Sequence, residues 1–159
     1  MALTLGDFQK NYSSLKGKPT AVYHQAILKL KKLKIGEPKV FYPKNIFTNE
    51  LLEMFLFNDS SLTHVSIDEK RNMFWISNYN YQEIKSIVLE LDYQKSDRQT
   101  LKVEVPNNVF YFNNEQDTNE NHLEEFYRKI DNIYSLITTR KLLEETSSNV
   151  DATDDIVYY

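Results

Sequence analysis

The chain has no cysteine, which excludes disulfide frameworks, thiolate metal centres and cysteine nucleophiles together. Glycine is almost as scarce, with Gly6, Gly17 and Gly36 the only three in 159 residues. P-loops and dinucleotide-binding turns need glycine where the backbone closes on phosphate, so both are excluded. No apolar run approaches the length of a membrane-spanning helix, and the N-terminus lacks the apolar core of a secretory leader. A cytoplasmic, non-membrane protein is the expectation. What is present is 41% hydrophobic and 26% charged residues, the proportions of a folded globular chain. Asn, Lys, Ile, Tyr and Phe are abundant while Ala is scarce, a usage that A/T-rich codons favour and that points to a bacterial or phage origin.

Charge is unevenly spread. Residues 1–47 hold nine lysines against Asp7 and Glu37, whereas residues 48–159 hold ten cations against twenty-one acids. Such asymmetry fits a basic arm for nucleic acid, an acidic surface for a basic partner, or two halves that attract each other.

The first 36 residues read as a basic helical segment. Thr4 and Asp7 have capping-box spacing ahead of Phe8, Tyr12 and Leu15. Gly17 breaks that helix, Pro19 suits the first turn of a second, and Gly36 with Pro38 suits its end. Val22, Ala26, Leu30 and Leu33 share one face of the second helix, with Lys29, Lys31, Lys32 and Lys34 towards the other; residues 28–35 also alternate like a strand. Val40 to Tyr42 before Pro43 reads as an edge strand. Thr48 or Asn49 then suits the cap of a short helix carrying Leu51, Leu52, Met54 and Phe55.

The middle of the chain reads as an antiparallel β-meander. Leu62 to Ile67 and Met73 to Ser77 flank a polar hairpin loop, 68–72. Ile87, Leu89, Leu91 and Tyr93 share one strand face, and Leu101, Val103 and Val105 alternate with Lys102 and Glu104. Pro106-Asn107-Asn108 turns the chain into Val109 to Phe112, with Asn supplying positive φ where glycine is missing. Asp117 and Glu120 then have the spacing of a capping box. Leu123, Phe126, Ile130, Ile133 and Ile137 form the apolar stripe of a long amphipathic helix. Periodicity stops after Glu145, which predicts an acidic flexible tail over 146–159.

The stretch from Leu56-Phe57-Asn58-Asp59 through Phe74-Trp75-Ile76 to Tyr81-Gln82-Glu83-Ile84-Lys85-Ser86-Ile87, followed by Leu101-x-Val103-x-Val105, Val109 to Phe112 and the helix from Glu120, resembles the bacterial pleckstrin-homology-like domains. The match runs over about residues 38–145 and is one of hydrophobic pattern. It implies an α+β fold: a partly open antiparallel barrel closed by the C-terminal helix, with the two N-terminal helices additional to it. It also implies a binding role. The clustered Lys/Arg of lipid-binding members is missing from the first hairpin, where Lys39 and Lys44 stand alone, so phosphoinositide recognition is not implied.

No catalytic constellation stands out. His24, His64 and His122 lack zinc-ligand spacing, and a surface or satisfied histidine is the better reading of His64. Asp68-x-Lys70 and Glu83-x-Lys85 have the acid-x-Lys spacing of restriction-type nucleases, which on a strand puts both groups on one face. Composition alone supplies about two such triplets in a chain of this make-up, and three occur, counting Glu37-x-Lys39. Neither a cofactor nor a metal is expected.

The leading expectation is therefore a small non-enzymatic protein-interaction module. Trp75, Tyr79 and Tyr81 would anchor a basic protein partner, with Glu90 and Asp92 steering it. A phage or mobile-element inhibitor of a host nucleic-acid enzyme, anti-CRISPR-like, is one version of that expectation. Nucleic-acid binding through Lys29, Lys31, Lys32 and Lys34 is the first alternative, and a cryptic metal-dependent nuclease is the second.

Overall fold

The computed structural model describes the backbone of residues 3–11 and 20–157, and the side chains of 3–10 and 21–143. The order of elements is α1 (Leu5–Asn11), α2 (Thr20–Lys32), β1 (Val40–Lys44), β2 (Glu53–Phe57), β3 (Ser61–Asp68), β4 (Met73–Asn80), β5 (Ser86–Leu91), β6 (Gln99–Val105), β7 (Asn108–Asn113) and α3 (Leu123–Val157). The strands form two antiparallel sheets, β1-β2-β3-β4 and β5-β6-β7. A 3-10 turn at Tyr81–Glu83 divides them, so the meander is split and no closed barrel forms.

Strands β1, β2 and β3 of the four-stranded sheet are buried on both faces. Phe55 and Phe57 of β2 and Tyr42 of β1 point towards the second sheet, where Phe112 meets all three rings edge-on at 4.7, 5.8 and 5.0 Å. Phe126 of α3 closes on Tyr42 at 5.0 Å. The opposite face carries Phe41, Met54, Leu56 and Val65, and here Phe8 of α1 packs on Phe41 and on Tyr23 of α2. The two N-terminal helices thus belong to the same core as the sheets. A strand buried on both sides reads as a continuous apolar run. This is why Met54 and Phe55 were legible as part of a helix, a reading that the structure corrects to strand β2.

Helix ends follow local chemistry. Asp7 N–H donates to Thr4 Oγ1 and Thr4 N–H to the Asp7 carboxylate, both at 3.1 Å, so the expected capping box forms. Glu37 accepts from the N–H groups of Leu5 and Gly6, which leaves no orphan donor in the first turn of α1. Residues 12–19, with Tyr12, Leu15, Gly17 and Pro19, lie outside the described residues. Helix α2 buries Tyr23, Ala26, Ile27 and Leu30, a stripe rotated from the expected one, so Val22 is half-buried and Leu33 exposed.

Gly36 does not terminate α2. Lys34 adopts φ 60°, its N–H donates to Lys31 O, and Ile35 N–H reaches back to Leu30 O. That is the Schellman pattern with lysine where glycine is favoured. A side chain in the left-handed region costs about 1 kcal/mol, so Lys34→Gly should stabilise the fold by about that amount. The measurement is a urea midpoint that rises with an unchanged slope.

At the other end, α3 carries the expected stripe, with Phe126, Ile130, Ile133 and Ile137 buried. The Asp117–Glu120 cap is corrected: a 3-10 turn at Glu120–His122 precedes the helix, and Asp117 is turned into the core. Helical backbone continues past Glu145 to Val157, where a loose tail was expected, because extending a nucleated helix costs far less than starting one. Tyr158 and Tyr159 lie outside the described residues.

Candidate functional site

The hairpin β3–β4 sets the geometry. Asp68 pairs with Met73, and the four-residue loop between them ends at Asn72 with φ 52°, again asparagine in a glycine conformation. Asp68 caps this loop by accepting from the N–H groups of Lys70 and Arg71. Towards the core, Tyr79 stands edge-on to Phe110 at 5.7 Å. Towards the tip the second sheet no longer covers the strand, and Met73 and Trp75 on that same face are 47% and 42% exposed.

Strand β4 is also an edge. Tyr81 N–H donates to Ser60 O, which fixes the alternation of the ladder: residues 73, 75, 77 and 79 bond to β3, and the N–H and C=O groups of Phe74, Ile76 and Asn78 point outward. Among the described residues none of these six groups meets a partner. The other edges are guarded. Strand β1 carries Pro43 and Lys44, and β5 carries Glu90. Strand β7 gives its Tyr111 carbonyl to Lys44 and its Asn113 N–H to Asp117. Among the described strands only β4 is eight residues long, open along its outer side and without a charge, MFWISNYN, and natural edges rarely combine these properties.

The expected anchor residues separate. Trp75 is on the surface and Tyr79 is half-buried, but Tyr81 is 1% exposed, with its hydroxyl donating to Asn58 O; Tyr81 is a core residue. Burial pushes its phenol, like that of Tyr23, well above the ordinary tyrosine value. Glu90 and Asp92 lie on the other sheet. Glu90 is exposed, while Asp92 accepts from the N–H groups of Gln94 and Lys95 and so shapes the β5–β6 turn. They line a cleft of about 240 Å³ with Arg98, Thr100 and Glu115. A larger acidic cleft of about 550 Å³ follows, between Asp97 and the start of α3 at Glu120 and Glu124.

Lys29, Lys31, Lys32 and Lys34 are all exposed at the C-terminal end of α2, where cations complement the helix dipole. The acid-x-Lys triplets serve local structure. Asp68 caps its loop, Glu83 accepts from Asn80 N–H in the 3-10 turn, and Glu37 caps α1, so Asp68-x-Lys70 and Glu83-x-Lys85 do not present acid and lysine along one strand. Among the described residues no three His, Asp or Glu side chains converge on one metal position. His24 is exposed, and His122 stacks on Phe47 at 4.0 Å. His64 bonds Glu53 at 3.0 Å and stacks on Phe55, the satisfied histidine expected.

Sequence reasoning missed a polar knot between the sheets. The Asp117 carboxylate accepts from Tyr42 Oη at 2.7 Å and Asn113 N–H at 2.8 Å, with Lys44 Nζ at 3.7 Å. Burial raises the Asp117 pKa against the pull of Lys44, Tyr42 and Asn113; burial and the neighbouring carboxylate raise that of Tyr42. Glu53 is lowered on balance, because burial is outweighed by the hydrogen bond and charge of His64 and the charge of Lys44. No family model, curated protein or solved structure matches the chain.

Proposed function

We propose that the chain is a small non-enzymatic protein-interaction module on a pleckstrin-homology-like scaffold. Four strands followed by three, in two antiparallel sheets with a helix after the last strand, support the scaffold reading. The observation that carries the function is β4, an uncharged, unpaired edge with Met73 and Trp75 uncovered beside it. A protein that adds a strand there gains main-chain hydrogen bonds, while the tryptophan supplies a hot spot. Glu90 and the neighbouring acids give a basic partner long-range attraction. An inhibitor of a host nucleic-acid enzyme, from a phage or mobile element, is the version of this reading that an acidic surface suits.

The competing reading is nucleic-acid binding. It is favoured by four exposed lysines in and just after α2, none of which forms an ion pair with an acid among the described residues. A photo-crosslinking side chain at position 75 separates the two. In host cells it should yield discrete protein adducts that nuclease treatment leaves intact, while the same group at Tyr93, 91% exposed in the β5–β6 turn, should not. No adduct at position 75, together with retention of duplex DNA that is lost when Lys29, Lys31, Lys32 and Lys34 are neutralised, would replace the protein reading with the nucleic-acid one.

A further inference from the structure

An edge strand built for a basic partner would carry acids, and β4 carries none; the acids stand on the other sheet and on α3. Its composition suits a strand of equal neutrality. We infer that the occupant of the β4 edge is β4 of a second copy of this chain, paired antiparallel about a two-fold axis through Ile76. The inference rests on the interaction reading above and names the partner of that edge.

The register follows from the outward groups. Phe74, Ile76 and Asn78 must bond to the same set in the partner, which sets Ile76 opposite itself and Phe74 opposite Asn78 of the other copy. On the uncovered face, Trp75 then lies opposite Ser77 and Met73 opposite Tyr79 of the other copy. The small serine leaves room for the indole, and a thioether on an aromatic ring is a favourable contact. The two Trp75 rings meet on the diagonal, within reach for large side chains. No like charges face each other anywhere along the pairing, so nothing in this strand acts against self-association. The two sheets become one of eight strands, and an isologous contact of this kind closes at two copies. The area is at the small end, below about 1,200 Å², which makes the dimer concentration-dependent. The acidic clefts stay free and are presented twice.

Trp75 is the only tryptophan, so its fluorescence reports the contact directly. Sedimentation velocity from about 1 to 300 µM, a span chosen to bracket transient interfaces, should show a mass rising from 18.9 kDa towards twice that value. Trp75 emission should shift to the blue in parallel. Each copy carries a net charge of −4, so added salt should leave the dimer unchanged or tighten it. Asn78→Pro removes an outward main-chain donor, and with it the side-chain acceptor of the buried Thr63 hydroxyl on β3, so its melting temperature should drop, whereas Trp75→Lys sets two cations on the diagonal and leaves β3 untouched. Both variants should stay monomeric with unchanged circular dichroism, and Trp75→Lys with unchanged melting as well.

A wild type that remains monomeric at 300 µM, or a dimer that survives both substitutions, overturns the second-copy inference. A labelled peptide of residues 72–81 separates that failure from failure of the interaction reading. If the wild type is monomeric but binds the peptide, and Asn78→Pro abolishes the binding, the edge is a docking strand for another protein. If the peptide does not bind either, both readings fall.

Discussion

Asp117→Ala is expected to cost about 3–5 kcal/mol, the range for breaking a buried charged pair by removing one partner. Asp117 is 3% exposed, and its loss strands the Tyr42 hydroxyl and the Asn113 N–H and takes the counter-charge from the Lys44 ammonium, which keeps its bond to Tyr111 O. These three groups belong to β1 and β7, which no strand ladder joins, so the damage falls on the seam between the sheets. Asp117→Asn keeps the shape and one acceptor oxygen and should cost less than half as much. Urea unfolding of both variants, with Tyr42→Phe to complete a double-mutant cycle, measures the seam. The pH dependence has a definite sign. Burial raises the Asp117 pKa in the folded state, so its ionised form is a standing cost at neutral pH that is relieved as pH falls through the raised value. Asp117→Asn lacks that relief, and its stability should therefore fall more steeply than the wild type's as pH falls through the raised value towards the ordinary Asp value of about 3.9. A variant whose acid limb parallels the wild type would show that Asp117 ionises as an ordinary carboxylate.

The parts of the fold that the sequence announces are those whose signal is local. Hairpin β3–β4, the alternation of β6, positive φ at Asn107 and the stripe from Phe126 to Ile137 each depend on neighbours within a few residues, and each was found where expected. Strand β2 was misread because burial on both faces removes the alternation that marks a strand. Asp117 was misread because an acid three residues before a glutamate, at the start of an apolar stripe, has the same pattern whether it caps a helix or turns inward to a tyrosine 75 residues away. Tyr81 was misread because its partner, the Asn58 carbonyl, lies 23 residues back. Alternation sets Trp75 opposite Phe74 and Ile76 without saying which of the two faces is exposed, and the property that makes the strand a candidate interface is the lack of a neighbour beyond β4 among the described residues. Sheet order is a tertiary fact, and no window of sequence contains it.

The charge asymmetry has a similar lesson. A basic N-terminal segment and an acidic body suggest helices held by their lysines, but α1 and α2 are held by Leu5, Phe8, Tyr23, Ala26, Ile27 and Leu30. The charged links run in the other direction: acids of the body, Glu37 and Glu125, accept from the backbone N–H groups of Leu3, Leu5 and Gly6. Lys29, Lys31, Lys32 and Lys34 are left in solvent.

Lys129→Ala is expected to cost about 3–4 kcal/mol, because one side chain stitches three elements and its loss opens a cavity as well. The Lys129 ammonium, on α3, donates to Leu3 O ahead of α1 at 2.8 Å and to Phe41 O of β1 at 2.6 Å, while Glu125 one turn earlier accepts from Leu3 N–H at 2.9 Å. Residue 3 is therefore held from both sides by α3, and α1 is fixed over the sheet by that clamp. Lys129→Met retains the apolar stem and should lose about half as much. Amide exchange should rise first at residues 5–11, ahead of global unfolding. Burial lowers the Lys129 pKa, opposed by Glu125, Glu37 and Asp7, so the charged form is a cost at neutral pH that is relieved as pH rises through the lowered value towards 10.4. Wild-type stability should thus gain relative to Lys129→Met over that interval. Above pH 10 both proteins should lose stability together, because the unfolded tyrosines ionise while Tyr23, pushed up to about 12, and the similarly raised Tyr42 and Tyr81 do not. If exchange at residues 5–11 is unchanged in Lys129→Met, the apolar contacts of Leu5 and Phe8 hold α1 without the clamp, and the ammonium serves only the carbonyl of Phe41.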